Sequence, residues 1–335
     1  MFHSKITGLG YYVPENIVTN DDLSKIIDTN DEWIQERTGI KQRRHIIRGE
    51  DTTTSMGVKA AEIAIKRSGV AKEDIDFVIF ATLSPDYYFP GPGVSVQRDL
   101  GLRTVGALDV RNQCSGFVYA VSIADQYIKT GMYKNILVIG SEVHSTGLDM
   151  TSRGRSVSVI FGDGAGAAVL SREEDLTKGI LSTHLHAEGL HAEELIVKAP
   201  GMGQRWVTDI IADADPDDES YFPYMNGQFV FKNAVVRFSE VINEGLEANN
   251  LQVSDIDMLI PHQANLRISQ FIQQKFKLTD DQVYNNIMDY GNTTAASIPI
   301  ALTEAWEKGK IKDGDTVVLA AFGSGFTWGS VIIKW

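Results

Sequence analysis

The only cysteine of the chain, Cys114, stands in Leu108-Asp109-Val110-Arg111-Asn112-Gln113-Cys114-Ser115-Gly116-Phe117, where an apolar β-branched run gives way to an apolar, helix-like run. A strand-to-helix corner exposes its side chain, and the unpaired N–H groups of a helix start stabilise a thiolate. A free cysteine is otherwise a small buried hydrophobe, and this segment alone leaves that reading open. Two further residues could complete a site. His262 follows a buried apolar run in Ile260-Pro261-His262-Gln263-Ala264-Asn265-Leu266-Arg267, and Asn292 lies in Gly291-Asn292-Thr293-Thr294-Ala295. A histidine that activates a thiol, and a thiolate that attacks a thioester or amide carbonyl, together do covalent acyl chemistry. Cysteine proteases use the pair, and carbon–carbon condensing enzymes add a polar donor to stabilise an enolate. Taken singly, His262 also reads as a cap for the next helix, and Asn292 as a turn residue or N-cap.

The elements that must bring these residues together show a duplication. Asp74-Ile75-Asp76-Phe77-Val78-Ile79-Phe80-Ala81 is echoed by Asp255-Ile256-Asp257-Met258-Leu259-Ile260-Pro261-His262. The same offset pairs Asn135–Gly140 with Thr316–Ala321, and the run after Cys114 with Ala295–Trp306. Such short apolar runs read as strands buried on both faces. Met56–Ser68 and Phe229–Glu247 carry helical apolar spacing. Strand, helix, strand at these lengths implies crossover units and largely parallel sheets covered by helices, hence a duplicated α/β core. Two halves about a pseudo-twofold axis let Cys114 face His262 and Asn292, each expected near the C-terminal end of a strand. Tyr11–Glu50 and Ala187–Asn226 fall outside the repeat, the latter with an acidic stretch at Asp213–Glu219 that reads as a solvated loop.

Glycine-rich Phe161-Gly162-Asp163-Gly164-Ala165-Gly166 has no P-loop lysine and leads into a strand-like run, so it is a weak nucleotide motif. Phe322-Gly323-Ser324-Gly325-Phe326-Thr327-Trp328-Gly329 follows the last repeated strand and could present an N–H to an oxyanion. Either could equally be a tight turn.

Composition narrows the class. At 335 residues and 43% hydrophobic the chain has ample core material. One cysteine rules out an internal disulfide framework and cysteine-rich metal sites, and no metal is expected. A net charge of -13 argues against broad binding to nucleic acid or an anionic membrane. With no apolar leader and no membrane-length apolar run, a cytoplasmic location is expected.

In this order and spacing, Cys114-Ser115-Gly116-Phe117, Phe161–Gly166, Pro261-His262-Gln263-Ala264-Asn265, Gly291-Asn292-Thr293 and the closing Gly-Phe-Thr-Trp-Gly closely resemble β-ketoacyl-acyl carrier protein synthase III over essentially the whole chain. The resemblance implies a thiolase-like, duplicated five-layer α-β-α-β-α architecture. Residues 1–175 would form the half carrying the nucleophile, and 176–335 the half carrying His and Asn. It implies that Cys114 takes an acyl group from coenzyme A, and that His262 and Asn292 stabilise the enolate formed by decarboxylation of malonyl-acyl carrier protein. The N–H groups of Cys114 and Ser324 would form the oxyanion hole. Coenzyme A would meet Trp33, Arg37, Thr38, Arg153, Asn265 and Arg267. Acyl-CoA enters as substrate, with no tightly bound cofactor implied. Phe89 would enter the acyl pocket of a homodimeric partner, while Met202, Met225 and Phe229 are candidates to line that pocket. Lys232, Arg267, Lys275 and Lys277 could form a rim for the acidic carrier protein.

Thiolases need a second cysteine, which this chain lacks, and hydroxymethylglutaryl-CoA synthase uses a glutamate in a different motif. A non-catalytic subunit would have lost the nucleophile, and a hydrolase would need a water route. A specialised homologue with a longer, branched or aromatic donor remains the alternative. Two departures bear on it: Ser324 stands where the family's usual triple glycine has its central residue, and the chain is longer between Leu190 and Met225.

Overall fold

The computed structural model describes residues 2–201, 207–212, 215 and 217–335. Nine strands build two sheets. In the first, β1 (His3–Tyr12), β2 (Phe77–Ala81), β3 (Gly106–Val110), β4 (Asn135–Glu142) and β5 (Gly164–Glu173) run in the order β1-β5-β4-β2-β3. In the second, β6 (Gly179–Ala187), β7 (Met258–Pro261), β8 (Thr316–Gly323) and β9 (Thr327–Lys334) run in the order β7-β8-β9-β6. β2 pairs in parallel with β3 and β4, as β7 does with β8, while β5 and β9 pair antiparallel with their neighbours. The sheets are therefore mixed rather than largely parallel. β8 returns to β9 through a tight turn, whereas β4 returns to β5 through a longer segment that carries the short helix Arg155–Ser158.

Alternation along the repeated strands explains why they read as uninterrupted apolar runs. Ile136 and Val138 face inward, as do Val317 and Leu319, onto helices α4 (Gly116–Lys129) and α7 (Ser297–Glu307) between the sheets. Val78, Phe80, Leu137 and Ile139 face outward against α2 (Thr53–Ser68) and α3 (Pro92–Asp99). Val318, Ala320 and Phe322 face outward against α5 (Gly227–Ala248) and α6 (Leu266–Phe276). With both faces covered, no position can be polar at low cost. The result is five layers, α-β-α-β-α. The remaining helix used below, α1 (Asp31–Thr38), lies in the segment outside the repeat, capped by Asn30, whose side chain accepts the Trp33 N–H at 2.8 Å. Among the described residues no helix is long and apolar enough to cross a membrane.

The inner helices begin in matching single turns, Gln113–Ser115 and Thr294–Ala296. Gln113 and Thr294 both take positive φ, 45° and 51°. Each turn rests against a glycine of the other half: a Cβ on Gly140 would lie 2.4 Å from the Ala295 carbonyl oxygen, and one on Gly323 would lie 2.5 Å from Cys114 Cβ. Backbone cannot yield to that as a flexible side chain could. Gly140→Ala is expected to cost about 2 kcal/mol or more of stability, read as a lowered melting temperature. An unchanged melting temperature would mean that β4 and the Thr294–Ala296 turn can separate freely.

Candidate active site

Cys114 sits on the turn that opens α4, and His262 is the first residue after β7, its N–H donating to the Ala320 carbonyl at 2.8 Å. Asn292, against expectation, does not end a strand. It follows the helical turn Ile287–Tyr290 and Gly291 at φ 66°, and pairs only through an isolated bridge with Phe161. The second sheet has no full counterpart of edge strand β3, and in its place Val283 makes one bridge to Leu259. Cys114, His262 and Asn292 nonetheless line one cavity of about 680 Å³, with Trp33 and Arg37 also on its wall.

Burial, with Glu142 behind it, pushes the Cys114 thiol up to about 12, and the N–H groups of Ser324 and of Cys114 itself pull the other way. The residue is thus both buried and placed at a helix start, and the two readings of its sequence coexist. The two N–H groups that face the sulfur are the pair expected for the oxyanion hole. Glu142 was not apparent from the sequence. Burial pushes its carboxyl up to about 7, against hydrogen bonds from Ser84 Oγ (2.6 Å), Thr82 Oγ1 (2.9 Å) and the N–H groups of Leu83 and Ala295. The side chain thereby ties the loop after β2 to the inner turn of the other half.

Burial pushes His262 down to about 3, so the ring is neutral near pH 7. Its Nδ1 lies 2.6 Å from Ser297 Oγ, while Nε2 is buried with no protein partner. Ser297 Oγ also accepts the Gln263 N–H at 3.4 Å, and Nδ1 is the acceptor within reach of its own proton among the described residues; with the hydroxyl donating there, the ring proton sits on Nε2. A buried donor is left for a ligand. His262 does not cap the next helix; Asn265 does. Asn292 Oδ1 accepts the Thr294 N–H at 2.8 Å, so Asn292 is a turn residue whose amide NH₂ is left to donate. Thr294 Oγ1 lies in turn 2.6 Å from His144 Nε2, and the His144 N–H donates to Asp163 at 2.7 Å. Burial holds His144 neutral, down to about 4. Nothing in the local sequence marks Ser297 or His144, because both act through contacts that only the fold creates.

On the cavity wall, Trp33 has two guanidinium groups over its ring, Arg37 at 4.5 Å and Arg155 at 4.9 Å from the centroid. Arg153, expected there, is engaged by Asp149 (2.6 Å) and the Asp217 carbonyl (3.1 Å), and neither it nor Arg155 is on the cavity lining itself. The turn Ser152–Gly154 sends the two arginines to different sides, which a pair two residues apart does not reveal. Thr38 and Asn265 do line the cavity, yet their side chains serve its walls. Thr38 Oγ1 donates to the Ile34 carbonyl, and Asn265 caps α6 while its Nδ2 donates to the Arg37 carbonyl at 2.9 Å. Lys232 and Arg267 stand on the cavity wall. Lys275 lies eight residues further along α6 than Arg267, about 12 Å along its axis, and Lys277 caps that end of the helix.

Met225 lines the cavity, whereas Phe229 packs on His191 and Phe326 instead, and Met202 lies outside the described residues. Phe89 is 81% exposed and outside the cavity of its own chain. The long 190–225 segment supplies a short ribbon in which Leu195 pairs with Met225.

The family description 3-Oxoacyl-[acyl-carrier-protein (ACP)] synthase III matches residues 108–189, and its C-terminal counterpart matches residues 246–335. A β-ketoacyl-[acyl-carrier-protein] synthase III of Sulfurimonas denitrificans is 43% identical over 99% of this chain and 98% of its own, and a Vibrio vulnificus strain YJ016 relative of the same description is 46% identical over 99% of both. The chain belongs to the β-ketoacyl-acyl carrier protein synthase III family. The crystal structure of the 3-oxoacyl-[acyl-carrier-protein] synthase III from Aquifex aeolicus VF5 superposes with a TM-score of 0.90 at 42% identity, covering 99% of this chain and 100% of that one. Members of the family are condensing acyltransferases, and this thiolase-like chain is one of them.

Two measurements test the geometry. Ser297→Ala should leave acyl loading of Cys114 intact while slowing the condensation step about tenfold or more, as loss of an orienting partner does; equal slowing of both steps would refute the orienting role. Alkylation of Cys114 by iodoacetamide should keep accelerating through about pH 9, since burial raises the thiol. A plateau near neutrality would show the helix start winning instead.

Proposed function

We propose that this condensing enzyme joins a short acyl-CoA to malonyl-acyl carrier protein through an acyl-Cys114 intermediate. The observation that carries the reading is the buried, unpartnered Nε2 of His262 in the same cavity as Cys114 and the Asn292 amide. Sγ attacks the acyl-CoA carbonyl, its proton passes to the departing coenzyme A sulfur, and the tetrahedral oxyanion is met by the N–H groups of Cys114 and Ser324. Malonyl-acyl carrier protein then places its thioester oxygen against His262 Nε2–H and Asn292 Nδ2–H. Loss of CO₂ leaves the bonding electrons as an enolate held by these two neutral donors. The enolate carbon attacks the acyl carbonyl, the C–S bond breaks, and Cys114 sulfur leaves as the thiolate and takes one proton from solvent. The products are 3-oxoacyl-acyl carrier protein, CO₂ and coenzyme A. A neutral His262 suits the step because it donates without protonating the carbanion.

In this reading the indole of Trp33, between Arg37 and Arg155, receives the adenine, and the guanidinium groups face phosphate. Lys232 and Arg267 are the cations that a carrier-protein phosphopantetheine passes on entry. The exposed Tyr87-Tyr88-Phe89 run fits burial in a second copy of the chain, with Phe89 reaching the partner's acyl pocket. Residues 1–175 supply the nucleophile and 176–335 the enolate donors, in a cytoplasmic homodimer.

Mass spectrometry of the protein with a panel of acyl-CoAs, followed by a malonyl-acyl carrier protein chase, tests the sequence of steps. Cys114 should gain the acyl mass from acetyl-CoA or short branched donors, lose it on the chase as 3-oxoacyl-acyl carrier protein, and gain nothing in Cys114→Ala. Loading by long or aromatic donors alone would move the chain to a specialised branch. Discharge to water without the chase would make it a hydrolase.

A further inference from the structure

The steps above use the Ser324 backbone and leave its hydroxyl without a role, yet that hydroxyl is engaged. Oγ donates to the Leu195 carbonyl at 2.5 Å. The rest of the residue is fixed relative to the nucleophile: its N–H faces Cys114 Sγ, and its carbonyl accepts from Thr327 Oγ1 at 3.2 Å, itself 2.7 Å from Ser115 Oγ. Leu195 belongs to the cavity wall, as does Met225, its partner in the ribbon. That ribbon has two residues in each strand, Leu195–Ile196 and Tyr224–Met225, too few to hold a position alone. A single serine therefore spans from the sulfur to this wall, and amide nitrogen and hydroxyl oxygen within one residue are roughly 3 Å apart.

We propose that Ser324 is a specificity-determining residue, its hydroxyl pinning the Leu195–Met225 wall beside Cys114 and so limiting the size of the acyl group the cysteine accepts. The proposal rests on the reading that Cys114 carries the acyl group. A glycine or alanine at this position keeps the N–H and removes the tether. The wall is then held by its own short pairing, by the Asn226 N–H bonded to the Glu194 carbonyl at 2.9 Å, by the packing of Met225, and by Glu188, whose N–H and carbonyl bond the Phe326 backbone at 2.8 Å each. One methylene more or less in an apolar pocket changes discrimination by about 10- to 200-fold, so a small displacement of the wall is measurable.

The test measures kcat/KM for loading Cys114 from acetyl-, butyryl- and hexanoyl-CoA in the native chain, Ser324→Ala, Ser324→Gly and Thr327→Val. Both Ser324 variants should raise the hexanoyl-to-acetyl ratio about tenfold. Thr327→Val loosens the same turn without touching the ribbon, and should slow all three donors alike with the ratio unchanged. If Ser324→Ala and Ser324→Gly also slow all donors uniformly, the hydroxyl serves only the oxyanion turn and the proposal is overturned. A native chain that loads from none of the donors overturns the acyl-cysteine reading, and the proposal with it.

Discussion

The structure depends on a reciprocal close approach of backbone between its two halves. Gly140 of the first half receives the Ala295 turn of the second, and Gly323 of the second receives the Cys114 turn of the first. Both turns carry a non-glycine residue at positive φ. Such residues persist only where the surroundings over-determine them, and here the two inner helices and the two sheets do so. One of the paired turns carries Cys114. Its pseudo-symmetric counterpart carries Ala295 and leads directly from Asn292, so a single packing motif, used twice, yields two different contributions to one cavity.

Desolvation then sets the protonation of four buried groups in and behind that cavity. His262 and His144 are driven neutral, the Cys114 thiol is driven up, and Glu142 is held near the point where it titrates. A neutral histidine with its proton directed to Nε2 is a donor that does not quench a carbanion. What directs the proton is Ser297, at the start of α7, hence the same inner helix whose first turn meets Gly140. Positioning and electrostatics come from one packed region.

The segments outside the duplication serve access. Helix α1 brings Trp33 and Arg37 to the mouth, joined to α6 by the bond from Asn265 to the Arg37 carbonyl. The long 190–225 segment brings Leu195 to the wall, joined to the oxyanion turn through Ser324. Each insertion is attached to the duplicated core beside a group that the chemistry uses. Variation there can alter which substrates enter without disturbing the reacting atoms.

The amino-acid sequence by itself determined the duplicated α/β core, since strands covered on both faces must be apolar throughout and so repeat visibly. It also singled out Cys114, His262 and Asn292, whose motifs keep order and spacing along the chain, and the fold brings the three to one cavity. It placed Asn292 at a strand end and gave no sign of Arg155 beside Trp33; the tertiary structure decided both, because an edge strand reduced to a bridge and the direction of one turn have no local signature. Ser297, His144, Glu142 and the bond from Ser324 to Leu195 were likewise decided only in three dimensions. Each is an ordinary polar residue in its own segment. Its role exists only because a distant segment packs against it at hydrogen-bond distance.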